Sequence, residues 1–273
     1  MAMNVLLINC LKMNSYALFF DIDGTLVSFA THSIPVSTVN ALEQAKANGH
    51  RIYIATGRPM AIVNNLSPIE HLVDGYITTN GAYCFVGNDL VCLNPILRSE
   101  VDTIFNDALE NDYPVIVSGV NDFGVWNQKP IVEELFVKGL GVDASTMLHT
   151  INSPVDWDVL ELTPFIGLES ECRLMGLMSE CQSARWHPLF CDITSKRADK
   201  GQALLRMACH EGFSIEQTMA FGDGGNDISI IMRSGIGVAM GNANKELKEV
   251  ADFITKDVDN DGIAHALTYY GLI

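Results

Sequence analysis

Three times along this chain a short apolar run stops at a cluster of polar residues. Tyr16–Phe20 ends at Asp21-Ile22-Asp23-Gly24-Thr25, Arg51–Ala55 ends at Thr56-Gly57-Arg58, and Thr218–Phe221 ends at Gly222-Asp223-Gly224-Gly225-Asn226-Asp227. Near-continuous apolar runs of this length suit parallel strands whose two faces are both covered by helices. Helical patterns alternate with them. Ser37 reads as an N-cap ahead of Val39, Leu42 and Ala45 on one face, with Gly49 as the stop; Pro59–Leu66 reads as a second helix and Tyr76–Thr79 as a third strand. Strand, helix and strand in this rhythm imply βαβ units and a doubly wound α/β sheet, whose ligands sit beyond the carboxyl ends of the strands.

Between about Tyr83 and Cys191 the pattern changes. Leu97–Asn111 reads as a helix, Val115–Ser118 as a strand, Asn121–Trp126 as a turn, Pro130–Lys138 as a helix, Val159–Leu168 as a strand and Ser170–Cys181 as a helix. The α/β rhythm then returns with helices over Asp199–Glu211, Ile228–Arg233 and Lys245–Val250, and strands at Thr218–Phe221, Gly237–Ala239 and Asp252–Thr255. The expected organisation is one core domain, residues 13–83 and 191–273, interrupted by an α+β insert of residues 84–190. Residues 1–12 read as a dispensable extension. They lack a basic n-region, and Asn9 stands where a lipoprotein signal needs a small residue.

The formal charge of −16 argues against nucleic acid, which needs a basic surface, and demands a locally positive seat for any anionic substrate. The seven cysteines are scattered without a C-x-x-C pair, which suits thiols in a reducing cytoplasm. No apolar run reaches the roughly 20 residues that span a bilayer. The reading is therefore a cytoplasmic protein with no membrane and no nucleic acid among its partners.

The polar clusters carry the chemistry. Asp21 and Asp23, two apart in an extended stretch, can turn both carboxyls to one side unless Gly24 bends the chain first. Two close carboxylates repel unless a cation or proton lies between them, and Mg2+ meets that need. Thr56, Gly57 and Arg58 at a strand-to-helix junction offer a hydroxyl, an amide and a helix N-terminus to an anion. Lys200 opens a helix after the insert, and Asp223 and Asp227 add two carboxyls at a third strand end. Read singly, each cluster also fits a solvated turn or, for Thr56, an N-cap. Gathered on one sheet edge, the four aspartates need a divalent cation with Lys200 and Arg58 to balance them.

In this order, DIDGT, ATGR, DKG and GDGGND resemble the haloacid dehalogenase superfamily, and within it the Cof-type sugar-phosphatase-like members with a C2B cap. The resemblance runs from Met13 to the end of the chain. It implies a Rossmann-like doubly wound parallel sheet core with an inserted α/β cap domain that closes over the substrate. It makes Asp21 the nucleophile and Asp23 the general acid/base. Asp21, the carbonyl of Asp23, and Asp223 would hold Mg2+, with Asp227 supporting that shell. Thr56, Gly57, Lys200, Asn226 and the amide of Ile22 would seat the phosphate, Thr25 would orient the loop, and the Asn80-Gly81-Ala82 turn leads towards the cap. The implied activity is Mg2+-dependent hydrolysis of a small phosphorylated metabolite, a sugar phosphate, through an aspartyl-phosphate. A phosphomutase or phosphotransferase, and a phosphometabolite-binding protein without turnover, remain alternatives; so do monomer and homodimer.

Two further signals are set aside. Asp257-Val258-Asp259-Asn260-Asp261-Gly262 begins like an EF-hand loop, but Thr268 stands where a bidentate Glu is needed, so it reads as a turn capping the last helix, Ile263–Tyr270. Trp126, Trp157, Trp186 and His187 fall in the insert and read as core rather than as a sugar platform.

Overall fold

The computed structural model describes residues 15–139 and 148–273, so the expected N-terminal extension lies outside the described residues. The chain opens with strand β1 (Ala17–Phe20), helix α1 (Val36–Ala47), and strands β2 (Arg51–Ala55), β3 (Gly75–Thr78), β4 (Tyr83–Val86) and β5 (Asp89–Leu93). It continues through α2 (Arg98–Glu110), β6 (Val115–Ser118), β7 (Phe123–Trp126), a π-helical segment (Val132–Gly139), β8 (His149–Ile151), β9 (Glu161–Pro164), α3 (Leu168–Met175), β10 (Cys181–His187) and β11 (Phe190–Ser195). It closes with α4 (Lys200–Glu211), β12 (Thr218–Gly222), α5 (Ile228–Arg233), β13 (Ile236–Ala239), α6 (Lys245–Val250), β14 (Phe253–Ile254) and α7 (Gly262–Tyr269).

Packing divides the described chain into two compact units. The first comprises residues 15–57, Asn65–Cys92 and Asp199–Ile273. Its sheet runs β14-β13-β12-β1-β2-β3-β4-β5, parallel from β14 to β3 and antiparallel between β3 and β4. This is the α/β sheet that the apolar runs predict. Phe19 stacks on Tyr53 at 4.8 Å and Phe20 on Phe221 at 4.6 Å, and all four rings are buried. Each such ring contributes about 1.5–3 kcal/mol of burial, which fixes β1 at the centre.

The second unit comprises Arg58–Asn64 and Leu93–Ala198. Its sheet runs β10-β11-β9-β6-β7-β8 and is antiparallel apart from β7 with β8. Val115, Val117, Leu162 and Ile193 on one face pack with Ile104, Phe105 and Ala108 of α2 and Leu174 of α3. Ile116, Phe123, Val125 and Phe190 pack with Val132 and Phe136 of the π-helical segment.

Several sequence expectations change. Residues 59–66 form no α-helix but only a 3-10 turn, Met60–Ile62, because Pro59 and the Asn64-Asn65-Leu66-Ser67-Pro68 run leave no room for a second turn. Helix α1 starts at Val36 after Pro35, with no side-chain cap, so Ser37 is not its N-cap. Phe123–Trp126, read as a turn, is a strand buried throughout, paired with Val115–Ser118. The β4–β5 hairpin, assigned to the insert that was expected to begin at 84, extends the first sheet. Strand β11, which spans the expected return to the core at 191, belongs to the second sheet. Asp261 precedes α7 in a left-handed conformation and makes no side-chain cap. Trp126 is core, stacked on Phe105 at 4.4 Å, whereas Trp186 is 57% exposed.

Candidate active site

The register of the first sheet gathers the polar clusters. Phe20 lies opposite Phe221 and Ile54, so Asp21, the Gly222–Asp223 pair and the Ala55–Thr56 pair leave the sheet at the same edge. Beyond β1 the chain tightens at once. The Ile22 carbonyl accepts from the amides of Thr25, Leu26 and Val27, and the Gly24 amide donates to the Val27 carbonyl. Gly24 has φ +78°, and a Cβ there would lie 2.2 Å from Asp223 Oδ2, so both the turn and the neighbouring carboxyl require glycine.

Lys200 begins α4, whose N-cap Asp199 accepts from the Gln202 amide at 2.7 Å. Its ammonium is buried and donates to Asp21 Oδ1 at 2.7 Å and to Asp227 Oδ1 at 2.6 Å. Asp227 Oδ2 in turn accepts from the amides of Asp223 and Gly224, each at 3.0 Å, which ties the glycine loop to its own carboxylate. One carboxylate oxygen each from Asp21, Asp223 and Asp227 lies within 4.8 Å of the others. The Asp23 carboxyl is not among these three; its side chain is half-buried and its charge is felt at Asp223. The chain turns at Gly24 directly after Asp23, and the Asp23 carboxyl stands outside the three-carboxylate group.

The electrostatics follow from burial. Burial and then the charge of Asp227 raise the Asp21 carboxyl well above its ordinary range, with Lys200 pulling the other way. Asp223 is pushed up to about 7, by burial first and then by Asp227, again opposed by Lys200. Burial alone would lower the Lys200 ammonium, but Asp21 and Asp227 outweigh it and hold the proton on. Three carboxylates against one ammonium leave two negative charges when all are ionised (−3 + 1 = −2), and every donor is a hard oxygen. A divalent cation such as Mg2+ fits that set in charge and ligand type.

The remaining predicted residues of the first unit border the same edge. A side chain at Gly57 would meet Asn80 Oδ1 at 3.2 Å and Asn226 Nδ2 at 3.3 Å, and Asn226 Nδ2 donates to Asn80 Oδ1 at 3.1 Å. Thr25 and Thr56 are buried. The helix N-terminus expected after Thr56 is absent, so any anion there would meet side chains and loop amides instead. Arg58 falls in the second unit, where its Nη1 donates to the Ile62 carbonyl at 3.3 Å.

Two residues escaped the sequence reading. Asn242 Nδ2 donates to the Gly24 carbonyl at 2.7 Å and its Oδ1 accepts from the Val258 amide at 2.9 Å, so it braces the Asp23–Gly24 turn. The Asn244 amide donates to the Asp223 carbonyl at 3.0 Å, and its side chain caps α6 through the Leu247 amide at 2.8 Å. The available signal was the same as before: Gly241-Asn242-Ala243-Asn244 follows a buried strand, β13.

The family model for haloacid dehalogenase-like hydrolases matches residues 18–267. The chain belongs to that family. It is 31% identical over 277 residues to YkrA of Bacillus subtilis (strain 168), covering 96% of this chain and 100% of the relative. It is 27% identical over 276 residues to the pyridoxal phosphate phosphatase YbhA of Escherichia coli (strain K12), covering 92% of this chain and 97% of that one. Among solved structures, the haloacid dehalogenase subclass IIB sugar phosphatase BT4131 is 42% identical, with a TM-score of 0.85 over 94% of this chain and 100% of that one. The four motifs therefore identified the family correctly, and this haloacid dehalogenase-like chain is an enzyme of the phosphatase kind, of the subclass IIB type. Among the described residues no helix is long and apolar enough to cross a membrane.

Proposed function

We propose that this enzyme is a Mg2+-dependent phosphomonoesterase that acts on sugar phosphates through an aspartyl-phosphate on Asp21. The observation that carries the reading is the buried Asp21–Lys200–Asp227 array beside Asp223 at the carboxyl end of the central strand. The similarity to a sugar phosphatase over nearly the whole chain supports the substrate class.

In this reading Asp21, the carbonyl of Asp23, and Asp223 hold Mg2+, and Asp227 supports them. When bound, Mg2+ offsets negative charge on the carboxylates and on the phosphoryl group. Lys200 opposes the upward shift of Asp21, favouring its ionised form, and aims one oxygen; the other Asp21 oxygen attacks phosphorus in line and forms the new O–P bond as the sugar oxygen leaves. Asp23 gives its proton to that departing oxygen. It then takes a proton from a water molecule that attacks the aspartyl-phosphate, which returns Asp21 and releases inorganic phosphate. The Ile22 amide, Thr25, Thr56, Gly57, Asn80 and Asn226 seat the phosphate, with Lys200 supplying positive charge. The second unit corresponds to the inserted cap domain that the motif resemblance implies.

The test is phosphate release from sugar phosphates, nucleotides, pyridoxal phosphate and p-nitrophenyl phosphate, with magnesium and with EDTA. Magnesium-dependent release led by the sugar phosphates is expected. Equal release in EDTA would remove the metal from the account, and a ranking led by nucleotides would remove the sugar.

A further inference from the structure

Two thiols that the phosphatase chemistry leaves unused meet at the far side of the first sheet. Cys84 lies on β4 and Cys92 on β5, the edge strand. Both sulfurs lie within reach of one acceptor, the Gly81 carbonyl, at 3.8 Å for Cys84 and 3.9 Å for Cys92, and each has a single S–H to give. The Cys84 S–H is therefore shared between that carbonyl and the Cys92 sulfur. Cys84 is fully buried, whereas Cys92 keeps 7% of its surface and is contacted by the exposed Arg206 of α4. The pair is chemically unequal. The hydrogen bond from Cys84, then Arg206, brings the Cys92 thiol down to about 7 against the effect of burial. The same hydrogen bond and burial push the Cys84 thiol up. A thiolate stabilised by a guanidinium is the nucleophilic member of such a pair, and a neighbouring thiol resolves what it forms.

The shared carbonyl belongs to a constrained turn. Thr79, Asn80 and Gly81 have φ of 50°, 53° and 95° in succession. Gly81 packs so closely on Asp199 that a Cβ would lie 2.6 Å from the Asp199 carbonyl oxygen. Asp199 caps the helix that begins with Lys200, and Asn80 accepts the amide hydrogen of Asn226. The thiols therefore support a turn that touches both the lysine helix and the proposed phosphate seat.

We propose that Cys84 and Cys92 are a reversible dithiol–disulfide site, and that closing the bridge disturbs the Asn80–Gly81 turn and lowers turnover. The effect on turnover rests on the active-site reading above; formation of the bridge does not. The oxidant class is a small peroxide, reaching Cys92 at the sheet edge. The Cys92 thiolate attacks one peroxide oxygen, the O–O bond breaks, and the other oxygen leaves as hydroxide and is protonated to water. The Cys84 sulfur then attacks the Cys92 sulfenic sulfur; its S–H proton goes to the departing oxygen, which leaves as a second water. The two thiols are oxidised by two electrons, the peroxide is reduced by two, and no S–H remains to donate to the Gly81 carbonyl.

The experiment treats the enzyme with hydrogen peroxide, alkylates the remaining thiols, and cleaves before Asp89, which separates the two cysteines. The expected result is a pair of peptides joined through Cys84 and Cys92, neither alkylated. Phosphate release from p-nitrophenyl phosphate should fall by most of its value, recover with dithiothreitol, and resist peroxide in Cys92→Ala. Alkylated Cys84 and Cys92 beside oxidised Cys172 and Cys209, the exposed thiols, would overturn the site. A complete bridge with undiminished turnover would overturn the coupling to the turn. Peptide mapping reads the bridge even if the enzyme proves inactive on p-nitrophenyl phosphate, so the two readings fail separately.

Discussion

Lys200→Met takes the ammonium out from between Asp21 and Asp227 while filling nearly the same space. In the wild type its Nζ stands 2.7 Å from one carboxylate and 2.6 Å from the other, in a site closed to solvent on the lysine side. Removing one partner of a buried ion pair costs about 3–5 kcal/mol, because the other charge stays buried without compensation. A chain of this size loses about 2–4 °C of Tm per kcal/mol, so the midpoint should fall by about 6–20 °C. The assay is thermal unfolding in EDTA, so that no divalent cation replaces the ammonium. The sign with pH is fixed as well. Without Lys200 nothing opposes the upward shift that burial gives Asp21, so Asp21 titrates higher in the folded chain than in the unfolded one, and its share of the penalty is full at alkaline pH and disappears as pH falls and it protonates. Adding Asp227→Asn to Lys200→Met should return part of the loss. A single variant that melts within about 2 °C of wild type at alkaline pH, less than the shift for 1 kcal/mol, would refute the reasoning.

Asp23→Asn should lower phosphate release by about 10²- to 10⁴-fold while leaving the midpoint close to wild type, since Asp23 is half-buried and lies outside the carboxylate cluster. In the second unit, Arg173 grips both oxygens of Asp107, at 2.5 and 2.8 Å, and Tyr113 donates to the same carboxyl at 2.6 Å. The Arg173 guanidinium holds Asp107 below the usual carboxylate range against the effect of burial, with Tyr113 assisting. A depressed folded pKa contributes stability above the unfolded value of about 4 and loses it as pH falls towards the folded value. Asp107→Asn should therefore melt below wild type at neutral pH, and the two curves should converge below about pH 4.

The parts of this structure that were legible in the sequence share a physical cause. Buried parallel strands must be apolar from end to end, so β1, β2 and β12 announce themselves and mark where Asp21, Thr56 and Asp223 emerge. The second sheet hides better. Strand β10, Cys181–His187, is buried only at Cys181 and then alternates exposed and half-buried positions, and its polar members Gln182, Ser183 and Arg185 interrupt any apolar run. Met60–Ile62 looked helical because nothing local opposes a first turn; what prevents the helix comes afterwards, at Asn64-Asn65 and Ser67-Pro68. Lys200 shows the limit most clearly. Its place at the head of a helix is readable, yet its burial depends on Asp21, 179 positions away, and on Asp227, 27 away. Local sequence carries no record of such distances. The motif resemblance supplied what periodicity could not.

The most direct test of the account is to quench the enzyme with acid during turnover of a sugar phosphate and to weigh the peptide that holds Asp21. The account requires one phosphoryl group on Asp21 in the wild type with magnesium, and none in Asp21→Asn, which should fold normally and release no phosphate. An unmodified Asp21 peptide together with Asp21→Asn turning over at the wild-type rate would contradict the central claim.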